Sequence, residues 1–571
     1  MKFQLLFVLL NVALVSAQNI TQGELLGRPT ATSITVQAFF DENVEVSIQY
    51  GTVSGVYTGQ TNWQLFLVND PAEIIVSGLE ANTKYYYRML YRLPNAPTYL
   101  TRPEHTFQTQ RSLGSTYKYV VQADPHMDEQ SNVPLYELCL QNQLDDAPDF
   151  MIDLGDFIMT DKLKNLTTNL VPHDTIPYRC KLLRTKYELL GHSVPLFIAL
   201  GNHEGEAGWN LNNTPDNIAL WNTEERKKYF MNPAPDGTFY TGDTTIHNYV
   251  GLRENYYSWQ WGDALYIVLD PYWYTSPKPT ATTGWRWTLG QAQYNWLKNV
   301  LTTSTATYKF VFSHQMVGGD PDGRGGVEFA DLYEWGGNNL DGTPGFATNR
   351  PGWEMPIKDL LTQNHVNIFF HGHDHFFGKQ EKDCLIYQET PQPSHPNFNN
   401  AAYATAYGYL EGQILPNSGH IRVTVSSTGV LVEYVRAYLP ANENATRHNK
   451  DVSASYFIDA ASNCYTLGTN NPTMIWNTNY ADEIVYPNPF SKETKIEFEV
   501  LNSERIHIVI YNQNGQLIKE IINGDYLANG KFQVMWDGTD NSGNAVADGV
   551  YVYKIFKEKG ASQAGKIILK R

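Results

Sequence analysis

The chain has 571 residues, too many for a single hydrophobic core, and at roughly 150 residues per domain it divides into three or four. Aromatic residues make up 13%, including 37 Tyr and 13 Trp, so apolar area for burial is ample. A formal charge of −17, from 59 acidic and 42 basic side chains, excludes a general nucleic-acid binder, which needs basic patches, but it leaves room for a small phosphorylated substrate where a bound cation inverts the local field.

Lys2, the apolar run Phe3 to Val15 and the small residues Val15-Ser16-Ala17 before Gln18 read as a signal peptide over 1–17. The run is shorter than the roughly 18 apolar residues of a membrane anchor, and Asn11 interrupts it. No other stretch is long and apolar enough to span a bilayer. Cys139, Cys180, Cys384 and Cys464 suit an oxidising compartment and allow three pairings, none with the spacing of a zinc knuckle or C-x-x-C pair. Asn19, Asn165, Asn212 and Asn444 each open an N-x-Thr sequon.

Residues 23–110 are β-rich. Alternation in Ser33-Ile-Thr-Val-Gln-Ala-Phe and Val44-Glu-Val-Ser-Ile-Gln-Tyr reads as half-buried strands. The run Gly78-Leu79-Glu-Ala-Asn-Thr83-Lys-Tyr85-Tyr-Tyr87-Arg88 resembles the corner and following strand of a fibronectin type III sandwich; a packing role is the leading reading for this module, with carbohydrate or surface binding as the alternative.

Five short motifs follow, each at the end of an apolar, β-prone stretch: Asp124-Pro-His126, Gly155-Asp156, Gly201-Asn202-His203-Glu204, His314 and His371-Gly-His373-Asp-His375. The stretches themselves, Tyr117 to Gln122, Phe150 to Leu154, Pro195 to Leu200, Lys309 to Phe312 and Asn367 to Phe370, read as buried strands. In layered α/β proteins ligands gather at the carboxyl ends of strands, and the gaps here leave room for crossover helices or long loops. The donors suit a pair of metals. A carboxylate such as Asp156 can bridge two cations, neutral imidazoles suit Zn, Fe, Mn or Ni, and the Asn202 amide oxygen completes a shell without adding charge. Two metals roughly 3.5 to 4 Å apart hold both oxygens of an in-line phosphoryl displacement, so the expected reaction is phosphoester hydrolysis.

This ordered set resembles the calcineurin-like metallophosphoesterase superfamily, and the neighbouring sequence, about Tyr117 to Tyr438, is similar to its purple acid phosphatase branch. Carried onto these positions, the resemblance implies that Asp124, His126, Asp156 and His375 hold one metal and Asp156, Asn202, His314 and His373 the other. It further implies His203 as general acid, with Glu204 orienting or polarising it. One departure matters: the purple enzymes carry a Tyr three residues after the bridging Asp, where this chain has Met159, which has no phenolate to offer. His371 sits at the wrong offset for a ligand and is read as a neighbour, and His192, His247, His365 and His395 as ordinary surface or core residues.

Glu206 to Ser258 and Met316 to Gly352 lack periodicity and read as long loops at the rim of the cleft. Arg324 in the second is either a phosphate clamp or a solvated loop residue. After a catalytic domain over 115–440, residues 441–482 read as linker and 483–571 as a second β module. In that module alternating strands are expected at Lys495 to Val500 and Ile506 to Tyr511, with turns at Asn514-Gly515 and Asn541-Ser-Gly543. Its ordered set of Pro487-Asn-Pro489, Trp536-Asp-Gly538, Asp548-Gly-Val-Tyr551 and a terminal Gly565-Lys-Ile-Ile-Leu-Lys-Arg571 resembles the C-terminal sorting domain of type IX secretion substrates in Bacteroidetes, which implies export to the surface or medium by dedicated machinery. A small immunoglobulin-like or carbohydrate-binding module fits the strand pattern equally well.

The expected fold is therefore multidomain: an N-terminal β-sandwich, a central four-layer α-β-β-α metallophosphoesterase sandwich and a small C-terminal β-sandwich. The expected function is an exported phosphomonoesterase with two divalent or trivalent metal ions, Fe, Zn or Mn. A phosphodiesterase or nucleotidase on the same site, and a non-catalytic surface adhesin, are the alternatives.

Overall fold

The computed structural model describes residues 20–165, 167–168, 170–320, 323–460, 485–500, 504–512, 516–527, 530–557 and 563–571. The leader at 1–17, Cys464 and the Asn514-Gly515 turn lie outside them. No helix among the described residues is long and apolar enough to cross a membrane. Cys139 and Cys180 are buried free thiols, and Cys384 is disulfide-bonded.

Two antiparallel sheets make up the N-terminal module. Ile20–Gly27, Ser33–Phe40 and Ala72–Ser77 form one, and Val44–Gly51 and Lys84–Arg92 lead the other. The alternating apolar residues of both, among them Val36, Ala38, Val46, Ile48, Ile74 and Tyr87, meet in one core. At the corner, the Glu80 N–H donates to the Tyr85 hydroxyl oxygen at 2.9 Å.

The central domain stacks two mixed sheets. The six-stranded one runs in the order Leu196–Ile198, Met151–Asp153, Tyr117–Gln122, Gly419–Ser426, Gly429–Arg436, Val452–Asp459. The eight-stranded one includes Ala264–Val268, Tyr308–Phe312, Ile368–His371 and Leu385–Glu389, which are parallel neighbours. Their facing sides bury Tyr119, Ile152, Phe197, Trp259, Tyr266, Phe310 and Phe370 together. Helices Val133–Asp145, Thr175–Gly191 and Ile218–Tyr229 cover the outside of the first sheet, while Gly290–Thr303 and Ile357–Gln363 cover the second. Strands buried on both faces have no polar side to alternate with, which is why they read as unbroken apolar runs.

Two boundaries differ from expectation. The stretch 441–482 is not all linker, because Val452–Asp459 pairs antiparallel with Gly429–Arg436 as the edge strand of the first sheet. As an edge strand it buries little, and its small and polar residues hide the pattern. The expected loop from Glu206 to Ser258 contains the helix Ile218–Tyr229, capped by the Asn217 side chain accepting from the Leu220 N–H at 3.1 Å. Its buried face carries Asn222, Thr223 and Arg226, so no apolar stripe announces it. Glu206 receives the Arg226 guanidinium at 2.6 Å, which satisfies that polar face.

The C-terminal module is again two sheets, one of Val485–Tyr486, Thr494–Val500 and Gly530–Trp536, the other of Leu517–Leu527, Glu504–Asn512, Gly549–Lys557 and Gln563–Leu569. Phe490, Ile496, Phe498, Ile508, Trp536, Ile555 and Ile567 form its core.

Candidate metal centre

In the first sheet, register aligns Gln122 with Asp153 and Asp153 with Ile198; in the second it aligns Phe312 with Phe370. All five donor motifs therefore leave the sheets at the carboxyl ends of parallel strands. The turns they form are tight and unusual: Asp124, His126, Asp156, His373 and His375 all have positive φ, between 51° and 79°. Each such residue costs on the order of 1 kcal/mol or more and persists only where its surroundings impose it. Gly155 and Gly201 allow the closest approach, since a Cβ on Gly155 would lie 2.3 Å from Gly201 N and one on Gly201 2.2 Å from Asp156 Oδ1.

The donors converge in two groups, Asp124, His126 and His375 in one and Asp156, His314 and His373 in the other. Asp124 Oδ1 lies 3.6 Å from His126 Nε2 and 3.4 Å from His375 Nε2. Asp156 Oδ2 lies 3.2 Å from His314 Nε2 and 3.8 Å from His126 Nε2, so one oxygen faces both groups. Asn202 Oδ1 and His373 Nδ1 stand 3.1 and 3.2 Å from His314 Nε2. His314 Nδ1 is 3.0 Å from the Leu154 carbonyl, which can only accept, so Nδ1 carries the proton and the Nε2 lone pair points into the cluster. Asp124 Oδ1 and His126 Nε2 are buried without a hydrogen-bond partner. Oxygen and nitrogen lone pairs facing one another without donors are what a cation requires, so these residues fit a metal pair.

Electrostatics agree. Burial pushes the Asp124 carboxyl up, but His375 and His314 outweigh it and hold it well below the usual carboxylate range. For His314, burial acts downward while Asp156 and Asp124 carry it up to about 9. Asp124 and His314 hold each other charged, whereas burial, followed by His314, holds the His373 imidazole well below its usual range, and a cation would take over the role of the His314 proton.

Two expected roles change. Glu204 is fully buried, and its carboxylate accepts the N–H groups of Asp156, Phe157, Ile158 and Gly201 at 2.6 to 3.1 Å. It ties two metal-bearing turns together and does not orient His203. That task falls to Asp161, whose Oδ1 accepts from His203 Nδ1 at 2.7 Å, leaving Nε2 3.9 Å from Asp156 Oδ2. Arg324, weighed as a phosphate clamp, donates to Asp374 Oδ1 at 2.7 Å and to the His373 carbonyl at 3.0 Å, with its guanidinium over Tyr407. It braces the histidine turn. Met159, three residues after Asp156 in the chain, is buried and has no phenol to contribute.

Sequence reasoning missed three supports. Asp128 Oδ2 lies 3.4 Å from His126 Nδ1. Arg179, on the helix Thr175–Gly191, donates to the carbonyls of His126, Met127 and Ile158 at 2.6 to 2.9 Å. Asp161 is the third; only its nearness to the Gly155-Asp156 motif could have flagged it, and nothing local flags Arg179.

Residues 117–377 match the calcineurin-like phosphoesterase family model. The chain carries a calcineurin-like phosphoesterase domain. Among solved structures, PhoD is similar with a TM-score of 0.55 at 14% identity, covering 77% of this chain and 91% of that one. A purple acid phosphatase from yellow lupin (Lupinus luteus) seeds is similar with a TM-score of 0.51 at 14% identity, covering 77% and 74%. No curated protein matches the sequence. The calcineurin-like phosphoesterase domain makes the protein a metal-dependent phosphoester hydrolase, and residues 487–561 match a FlgD Ig-like domain model.

Proposed function

We propose that the protein is an exported phosphomonoesterase whose metal pair is held by Asp124, His126, Asp156, Asn202, His314, His373 and His375. The observation that carries this reading is the convergence of all seven donors with Asp124 Oδ1 and His126 Nε2 left unpaired in the interior. Fe, Zn or Mn suits these ligands, and when bound the pair supplies Lewis acidity toward water and phosphoryl oxygens. The protein's own part is positioning and proton transfer. Asp161 fixes the His203 ring, so that Nε2 faces the centre and can give a proton to the leaving oxygen. A surface adhesin that had lost turnover would have no reason to keep His203 paired and aimed in this way. Export rests on the N-terminal leader pattern and on the sorting-domain resemblance of residues 483–571.

His203→Ala is expected to retain both metals and to lose roughly 10² to 10⁴ in rate on alkyl phosphates, and less on p-nitrophenyl phosphate. Equal losses across a leaving-group series would remove His203 as the acid. Comparing p-nitrophenyl with bis-p-nitrophenyl phosphate separates monoester from diester activity. With Met159 where the purple enzymes have Tyr, ferric-loaded protein should lack an intense visible charge-transfer band. Tyr272, whose ring centroid is 6.3 Å from that of His314, instead donates its hydroxyl to Gln315 Oε1 at 2.8 Å.

A further inference from the structure

Glu204 has a counterpart on the other side of the centre. Glu389 ends the strand Leu385–Glu389, in parallel register with His371, and is fully buried. Its Oε1 accepts the Asp374 N–H at 3.1 Å, the His375 N–H also points at the carboxylate, and Oε2 lies 2.7 Å from His371 Nδ1. Among the described residues no lysine or arginine pairs with it. Burying a carboxyl without a cation is costly, and a sheet end offers no reason for one unless the backbone donors it collects matter. Those donors belong to the turn that carries His373 and His375, at φ of 79° and 64°.

Other contacts hold the same turn from outside. Arg324 braces Asp374, Tyr409 donates its hydroxyl to Asp374 Oδ2 at 2.8 Å, and the His375 carbonyl accepts from Tyr403 and Asn417 at 2.6 and 2.7 Å. Among the described residues, only Glu389 reaches the peptide N–H groups between the two histidines from the sheet side. Their ring nitrogens serve different clusters, His373 toward His314 and His375 toward Asp124. The rotation of the peptides between them therefore decides whether both can be engaged at once.

We propose that Glu389 is a positioning residue for the metal centre, the clasp that sets the 373–375 turn so that His373 and His375 serve two ions together. This rests on the dinuclear reading above. Glu389→Gln keeps the side-chain volume but replaces one acceptor with a donor, and Glu389→Asp keeps the acceptors but withdraws them by one methylene. Supporting groups of this kind change metal affinity by about 10- to 100-fold when mutated.

The test is a competition titration of apo full-length protein with zinc against a chromophoric chelator, alongside the cobalt(II) absorption spectrum and the melting temperature. Wild type should take up two ions. Glu389→Gln should bind at least one of them about 10- to 100-fold more weakly with an altered cobalt spectrum, and Glu389→Asp should recover part of the loss. Ile386→Val, an ordinary core truncation on the same strand, should lower melting and leave both metal readouts unchanged. Wild-type affinity and spectrum in Glu389→Gln, or losses matched by Ile386→Val at equal melting, overturn the clasp. If Glu389→Gln does not fold, Glu389→Asp decides by the same criteria. A wild type that binds fewer than two ions defeats the dinuclear reading first and the clasp with it.

Discussion

The N-terminal and C-terminal modules are both two-sheet β structures, yet among the described residues it is the first that is built into the catalytic domain. Arg184, on the helix Thr175–Gly191, is fully buried and donates to the carbonyls of Gly23 and Gln37 at 3.0 Å each, with its guanidinium 5.1 Å from the Phe39 ring. Gln37 donates in turn to the Lys228 carbonyl at 3.1 Å, Gln22 to that of Lys181 at 2.9 Å and the Tyr87 hydroxyl to that of His192 at 2.7 Å. Leu25 and Phe39 even share a core with Leu183, Tyr187 and Tyr229. In contrast, the strand pairing and the core of the described residues of 485–571 close within that module. A buried seam that engages this many backbone carbonyls cannot be opened cheaply, so the N-terminal module is part of the catalytic fold, whereas among the described residues no such seam ties the C-terminal module to it.

That contrast can be broken most directly at Arg184. Arg184→Ala leaves two buried carbonyls without donors and a cavity beside Phe39, an expected loss of about 3–5 kcal/mol in calorimetric unfolding. A melting temperature close to wild type would reduce the N-terminal module to an appendage. pH probes the same seam. The rings of His105 and His192 stack at 4.1 Å across it; burial lowers the pKa of both, and His192, further lowered by His105, falls to about 4. A histidine whose folded pKa is depressed binds fewer protons than in the unfolded chain. Stability is thus present above about pH 6.5 and falls as pH drops from there through about 4. Melting followed across that window should show the decline, and His192→Phe should flatten it.

Smaller effects sharpen the comparison. Tyr87→Phe removes one hydroxyl from the seam and should cost about 1 kcal/mol by chemical denaturation. Deleting residues 485–571 should shift the unfolding of the remainder by less than about 0.5 kcal/mol and leave specific activity intact, as expected of a change remote from any buried contact. If the sorting reading holds, cell fractionation will find the truncated protein in the periplasm. Its normal export would refute that reading, and a destabilised catalytic domain would refute the independence of the module.

The donor set was legible in the chain because its chemistry is local. An apolar strand that stops at a Gly, Asp, Asn or His announces both the strand end and the ligand, and the observed strands Tyr117–Gln122 and Tyr308–Phe312 end where those runs do. The apolar runs gave the buried strands, while the four-layer order was implied by the family resemblance that the donor motifs carry. The helix Ile218–Tyr229 and the edge strand Val452–Asp459 were not legible, one because its buried face is polar and the other because it buries too little.

By itself, then, the sequence determined which residues face the centre, since identity and spacing along strand ends are one-dimensional facts. Only the tertiary structure decided what holds them there. Glu204, Glu389 and Arg179 act on backbone N–H and carbonyl groups supplied by distant segments, and Asp161 on a ring 42 residues away in the chain. A backbone amide has no residue type to read, so a carboxylate or guanidinium that binds one leaves no motif, and its role becomes visible only when the chain has folded around it.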